Sequence, residues 1–142
     1  MPAVADPGSS VVRAAHDMGA QVAPLVGPVS LLLTLAASGL NGQSFAFQGY
    51  LPQDAGERSQ RIRQLESLSL KTGQAQIFIE TPYRNPALWQ ALVQTLQPHT
   101  RLALASGLTL PDARVQSQLV RQWKRQPAPP DNRTPVVFAL GR

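Results

Sequence analysis

The chain has 142 residues, enough for one domain with an ordinary buried core, and its 43% hydrophobic against 15% charged content excludes a disordered tract. It has no cysteine and two histidines, His16 and His99, which excludes a disulfide framework, a zinc–thiolate centre, a cysteine nucleophile and a histidine-rich metal site. The net charge of +5 lies wholly in residues 101–142, where Arg101, Arg114, Arg121, Lys124, Arg125, Arg133 and Arg142 stand against Asp112 and Asp131. That excess suits an anionic partner such as RNA, and suits equally a solvated helix face with a basic tail.

Val11, Val12, Ala15 and Met18 recur at helical spacing, and Gly19 supplies a stop. Gln21 to Pro24 reads as a short strand. Gly27-Pro28 opens a helix with proline in its first turn, running through Leu31 to Ser38 and ending at Gly39. Ser44 to Gln48 is an aromatic-rich strand, and Ile62, Leu65 and Leu68 mark a helix within 57–70. Ala75 to Ile79 is the strongest strand. Asn85-Pro86 then caps a helix with Leu88, Leu92 and Leu96 on one face, followed by a strand over Leu102 to Ala105. Thr109 to Asp112 resembles a capping box, and Val115, Leu119 and Trp123 at i, i+4, i+8 read as the helix behind it. A proline-rich loop over Gln126 to Asn132 precedes a last strand, Pro135 to Leu140.

This alternation of strand and helix predicts an α/β layered fold, and taken alone an all-parallel sheet. No apolar run approaches the roughly 20 residues that span a bilayer, and the N-terminus lacks a basic region followed by an apolar one. A cytoplasmic protein without a membrane segment is therefore expected.

No dinucleotide fingerprint, P-loop or nucleophile elbow is present. Four segments instead follow or end strands: Met1 to Gly8, Gly27 to Ser30, Glu80 to Arg84, and Ser106 to Pro111. Ligands of α/β folds bind at the carboxyl ends of strands, where helix starts offer free N–H groups and small residues admit close approach. Four ordinary loops would look the same.

At these segments the chain resembles the S-adenosylmethionine-dependent tetrapyrrole methylase family. Pro2 to Gly8 is similar to the second half of its Gly-x-Pro-x-Ile-Ser-Asp-Pro-Gly signature, and Gly27-Pro28-Val29-Ser30 to its Gly-Pro-Ser-Ala turn. Ser38-Gly39-Leu40, Phe47 to Pro52 and Glu80-Thr81-Pro82-Tyr83-Arg84 are similar to its Ser-Gly-Leu, Phe-x-Gly-Phe-Leu-Pro and Glu-Ser-Pro-His-Arg motifs, in family order. The branch most resembled is the small-subunit ribosomal RNA ribose 2′-O-methyltransferases.

The resemblance implies a five-stranded mixed sheet with flanking helices, its final strands antiparallel to the others, over residues 26–142. Residues 1–25 would be the last helix and strand of a preceding methylase domain, making the chain a C-terminal piece that binds cofactor weakly or not at all alone. It implies S-adenosylmethionine as cofactor and homodimerisation. By position, Val4, Val29, Ser30, Glu80, Ser106, Gly107, Leu108 and Pro135 would contact the cofactor; no metal site and no identifiable catalytic base follow. The substrate would be a ribose 2′-hydroxyl of ribosomal RNA, with a porphyrinoid carbon as the alternative and a non-catalytic binding module as the rival of another class. For RNA, Arg121, Lys124 and Arg125 would border the cleft. Two departures bear on this: Val29 replaces a hydroxyl-bearing residue, and Ala105 to Leu110 lacks the charges of the ribosomal branch and is closer to the porphyrinoid ones.

Overall fold

The computed structural model describes residues 1–142. In chain order the elements are α1 (Ser9–Asp17), α2 (Ser30–Ser38), β1 (Phe45–Tyr50), α3 (Ala55–Thr72), β2 (Ala75–Ile79), a 3-10 turn (Pro82–Arg84), α4 (Asn85–Thr95), β3 (Arg101–Ser106), β4 (Arg114–Leu119), α5 (Val120–Arg125) and β5 (Val136–Gly141).

The strands form one sheet in the order β1-β2-β5-β3-β4. β1 and β2 are parallel, while β5 pairs antiparallel with both β2 and β3, and β4 antiparallel with β3. The last two strands thus oppose the first three, which is the mixed sheet implied by the family resemblance and not the parallel sheet implied by alternation. Every residue of β5 is buried, as expected of a central strand covered on both faces.

One face carries the larger core, where Ile62 and Leu65 of α3, Leu88 and Leu92 of α4 and Trp123 of α5 meet Phe78, Leu102, Leu104, Phe138 and Leu140. Phe78 stacks on Phe138 at 5.9 Å, and Trp89 meets Trp123 edge-on at 6.4 Å. The other face is covered by α2, whose Leu35 joins Ala75, Ile77, Ala103, Val137 and Ala139. The small residues of β3 and β5 on this face let α2 lie close, and Ser117 of β4 donates to the carbonyl of Ser38 at 2.6 Å.

Two polar devices fix the connections. Asp54 caps α3 by accepting from the Glu57 N–H at 2.9 Å, which extends that helix beyond the 57–70 read from its apolar spacing. Glu66 of α3 is 4% exposed and accepts from the Gln97 N–H and the Thr100 hydroxyl, tying α3 to the turn before β3.

Four expectations are corrected. Asn85 does not cap α4: Arg84 holds the capping position, and the Asn85 amide donates to the Thr134 carbonyl instead. Residues 20–29 form no strand; they are exposed, except for half-buried Val29, and no strand lies beside them to complete the hydrogen bonds. Pro28 precedes α2 rather than lying in its first turn, since Val29 holds the capping position. Thr109 to Asp112 opens no helix: Arg114–Leu119 is a strand, and only Val120–Arg125 is helical. A spacing of four residues satisfies the two-residue period of a strand as well as the 3.6 of a helix, and the open edge of β3 decides between them. α1 forms where expected, but none of its residues is buried. No helix is long and apolar enough to cross a membrane.

Val115 and Trp123 would be equivalent core residues on a shared helix face. Here Trp123 is fully buried and donates its indole N–H to the Leu102 carbonyl at 3.0 Å, whereas Val115 is 37% exposed. Trp123→Ala should cost about 3–5 kcal/mol in urea unfolding, and Val115→Ala under about 1 kcal/mol. Equal losses would restore the single-helix reading.

Candidate functional site

The sheet topology brings the carboxyl ends of β1, β2 and β3 and the start of β5 to one edge. There a cleft of about 470 Å³ opens on the α2 side, floored by Ile79, Ala105 and Val137. Ser30 at the start of α2, Glu80-Thr81-Pro82 after β2, Gly107, Leu108 and Leu110 after β3, and Thr134-Pro135 before β5 form its walls. The expected residues Ser30, Glu80, Gly107, Leu108 and Pro135 therefore share one cavity. Val29 and Val4 line an adjoining cavity of about 240 Å³, which also contains Ser30 and Ile79. Ser106 points elsewhere: it lines a polar cavity of about 400 Å³ with Asp112, Arg114, Gln116 and the 128–131 loop, on the opposite face of the sheet. The alternation of side chains along β3 separates Ser106 from Ala105 and explains the split.

α2 starts without a side-chain cap, because Val29 stands at the capping position. The N–H groups of its first turn are thus left for a ligand or solvent.

Tyr50 reaches the cleft through a β-bulge. Phe47 pairs with Ile77 and Tyr50 with Ile79, so β1 holds one more residue than β2 over this stretch, and Gly49 takes φ 67°. Without the extra residue, Tyr50 would point with Gln48 towards α3; the bulge turns it to the side of Ile79. The strand signal concealed this, though a glycine inside a strand pattern is the mark of such a bulge.

Glu80 is 6% exposed and held by a local network. Its Oε1 accepts from the Thr81 N–H at 2.7 Å, the Thr81 hydroxyl at 3.3 Å and the Arg84 guanidinium at 2.8 Å. Oε2 makes no hydrogen bond to the protein. The hydrogen bond with Glu80 raises the Arg84 pKa above its ordinary value, with a smaller Coulombic contribution from the same carboxylate against an opposing desolvation. Arg84 also lies 5.0 Å from the centre of the Tyr83 ring.

The far wall depends on Asp131, which accepts from the N–H groups of Arg133 and Thr134 at 2.7 and 2.6 Å and from the Thr134 hydroxyl at 2.9 Å. The Thr134 carbonyl in turn accepts from Asn85 at 3.1 Å. Thr134 is a lining residue that sequence reasoning missed; an Asp three residues before a Thr-Pro was its only signal.

The expected basic border is corrected. The Arg121 N–H bonds to the Pro98 carbonyl, and its guanidinium lies 3.4 Å from His99. That is the end of the sheet where Arg101 pairs with Leu119, opposite the Ser106–Val136 end that carries the cleft. Lys124 and Arg125 are exposed.

No family model matches the chain. It is 30% identical over 132 residues to a ribosomal RNA small subunit methyltransferase I of Vibrio cholerae, covering 93% of this chain and 44% of that one. The corresponding Mesorhizobium japonicum protein is 36% identical over 108 residues, covering 76% and 35%. Among solved structures, the methyltransferase CobJ aligns with a TM-score of 0.61 at 19% identity, over 99% of this chain and 61% of that one. Uroporphyrin-III C-methyl transferase from Thermus thermophilus, complexed with S-adenosyl homocysteine, aligns at 0.55 with 16% identity, over 99% and 62%. The chain is thus similar in sequence to ribosomal RNA small subunit methyltransferases and shares the fold of these two solved methyltransferases, in line with the resemblance carried by its motifs. It spans less than half the length of the sequence relatives described.

The Asp131 turn yields a pH prediction. Backbone hydrogen bonds from Thr134 and then Arg133, with the Thr134 hydroxyl, hold the Asp131 pKa below the usual aspartate value. Its contribution to stability is complete above the unfolded pKa, near 4, and is lost as pH falls through the folded one. Amide exchange at Arg133 and Thr134, corrected for intrinsic pH dependence, should accelerate below about pH 4 in the wild type. Asp131→Ala should show the fast exchange already at pH 6; unchanged exchange in that variant would remove Asp131 as the support of this wall.

Proposed function

We propose that the cleft is one wall of an S-adenosylmethionine site, and that the enzyme containing this chain methylates a ribose 2′-hydroxyl of ribosomal RNA. The observation carrying this reading is the convergence on one cavity of four segments far apart in sequence, at Ser30, 80–82, 107–110 and 134–137. The relatives at 30–36% identity, named for ribosomal RNA methylation, support the RNA substrate.

The residues suit the cofactor's chemistry. The uncapped start of α2 offers N–H donors for a carboxylate, and the dipole of the helix favours a negative group there. Glu80 lines the cleft, and its Oε2 carries no hydrogen bond from the protein, which suits an ammonium or hydroxyl. Ile79, Ala105, Leu108 and Val137 give an apolar wall for a sulfonium-bearing chain or a purine face. When bound, S-adenosylmethionine supplies an electrophilic methyl group. The chain's own residues hold the ligand's orientation, keep water from the apolar side and fix Glu80, the one acidic residue lining the cleft. Alignment of the methyl donor with the attacking oxygen supplies much of the rate.

A porphyrinoid substrate is the second reading, favoured by the uncharged wall from Gly107 to Leu110 and by a lining that is half hydrophobic. We also propose that residues 1–25 belong with a preceding domain and that the protein works as a homodimer. Support comes from the exposure of α1 and of Leu25, Val26, Leu32 and Leu33, an apolar surface suited to cover by further protein.

Titration of the 142-residue chain with S-adenosyl homocysteine, followed by amide chemical shifts, tests the site. Shifts should appear at Ser30, Thr81, Gly107, Leu108 and Thr134, with a dissociation constant well above micromolar because half a cleft must still offset the ligand's lost freedom. Shifts confined to Asp112, Arg114 and Asp131 would place the ligand in the other cavity and overturn the proposal.

A further inference from the structure

Of the chain's two tyrosines, Tyr50 lines the cleft and Tyr83 directly follows the lining residue Pro82, and both are more than half exposed, Tyr50 at 53% and Tyr83 at 67%. The tryptophans, in contrast, lie in the core. Each tyrosine is held in place by local structure. Tyr50 is turned to the cleft side by the Gly49 bulge and is itself a lining residue. Tyr83 sits in the short turn after β2, with the Arg84 guanidinium against its ring, and Arg84 is fixed in turn by the buried Glu80 carboxylate.

We propose that Tyr50 and Tyr83, with Arg84, form a stacking subsite for an unpaired nucleobase of single-stranded RNA at the mouth of the cleft. The inference rests on the RNA reading above and adds what holds the target nucleotide. A ribose 2′-hydroxyl can enter a cleft only if its nucleotide leaves the helical stack, and the base must then find a new apolar face. Aromatic side chains beside a fixed guanidinium provide that face and a cation for the neighbouring phosphate. Stacking tolerates any base, so this subsite orients the nucleotide without reading its identity. The same rings could face a porphyrinoid, but their exposure at the rim, outside the apolar floor, favours a ligand that remains largely in solvent.

The test uses the 142-residue chain and a short single-stranded RNA carrying 2-aminopurine, whose fluorescence is quenched on stacking, with binding followed by anisotropy. Tyr50→Ala and Tyr83→Ala should each weaken binding about ten-fold or more and relieve the quenching, in keeping with about 1–3 kcal/mol per stacked base. Tyr83→Phe should bind as the wild type, since the ring and not the hydroxyl acts. An RNA with an abasic nucleotide in place of 2-aminopurine should bind wild type and alanine variants alike. Both positions are exposed, so thermal melts should stay unchanged and exclude unfolding as the cause. RNA binding that survives in both alanine variants, with quenching intact, overturns the stacking subsite and leaves the RNA reading standing. Absence of any RNA binding by the wild type overturns both, and S-adenosyl homocysteine shifts in the cleft would still separate that outcome from failure of the cofactor site.

Discussion

The structure depends on the insertion of the last strand between two strands formed earlier in the chain. β5 enters antiparallel between β2 and β3, and without it the sheet would be two separate ribbons, β1-β2 and β3-β4. Its alternating residues enter both cores: Val136, Phe138 and Leu140 pack on the α3–α4 side, Val137 and Ala139 on the α2 side. Its direction also decides where a ligand can sit. Because β5 runs opposite to β2 and β3, its start adjoins their ends, and the loop before it closes a cleft that would otherwise be an open sheet edge.

Around that edge the protein uses short-range polar contacts to set a few groups rigidly. Glu80 is fixed by the two residues that flank its turn, Thr81 and Arg84, and the Asp131 turn shapes the entry to β5 within four residues. These contacts need little long-range packing, which suits a wall that has α2 alone above it. They also commit one oxygen of Glu80 and leave the other free, so the carboxylate's position is determined while part of its hydrogen-bonding capacity is left for a ligand. Gly49 serves the same end through the backbone, since an L residue at its positive φ would cost about 1–2 kcal/mol.

Most of the elements were legible because their signals were unambiguous: Ala75 to Ile79 and Val136 to Leu140 are apolar but for Gln76, and Gly39 ends its helix in a left-handed conformation. Where two periods coincide, as at Val115, Leu119 and Trp123, the sequence left the choice open and the vacant edge of β3 made it. Strand direction was beyond local pattern altogether and was implied only by the family resemblance. The candidate site came from the same resemblance: Ser30, Glu80, Gly107, Leu108 and Pro135, carried over by motif position, line one cavity. Ser106 was misplaced because its face depends on parity along β3. Tyr50 and Thr134 were missed as lining residues because a bulge and a side-chain-capped turn aim them, and neither leaves a hydrophobic signal.

Ala139 is the residue at which the architecture can be checked with fewest assumptions, since it pairs with Ile77 on one side and Ala103 on the other. Solution NMR of the labelled chain should show cross-strand contacts from the Ala139 backbone to both Ile77 and Ala103, in the antiparallel pattern. Direct contacts between β2 and β3, or a parallel pattern at Ala139, would contradict the insertion of β5 and with it the cleft on which the functional account stands.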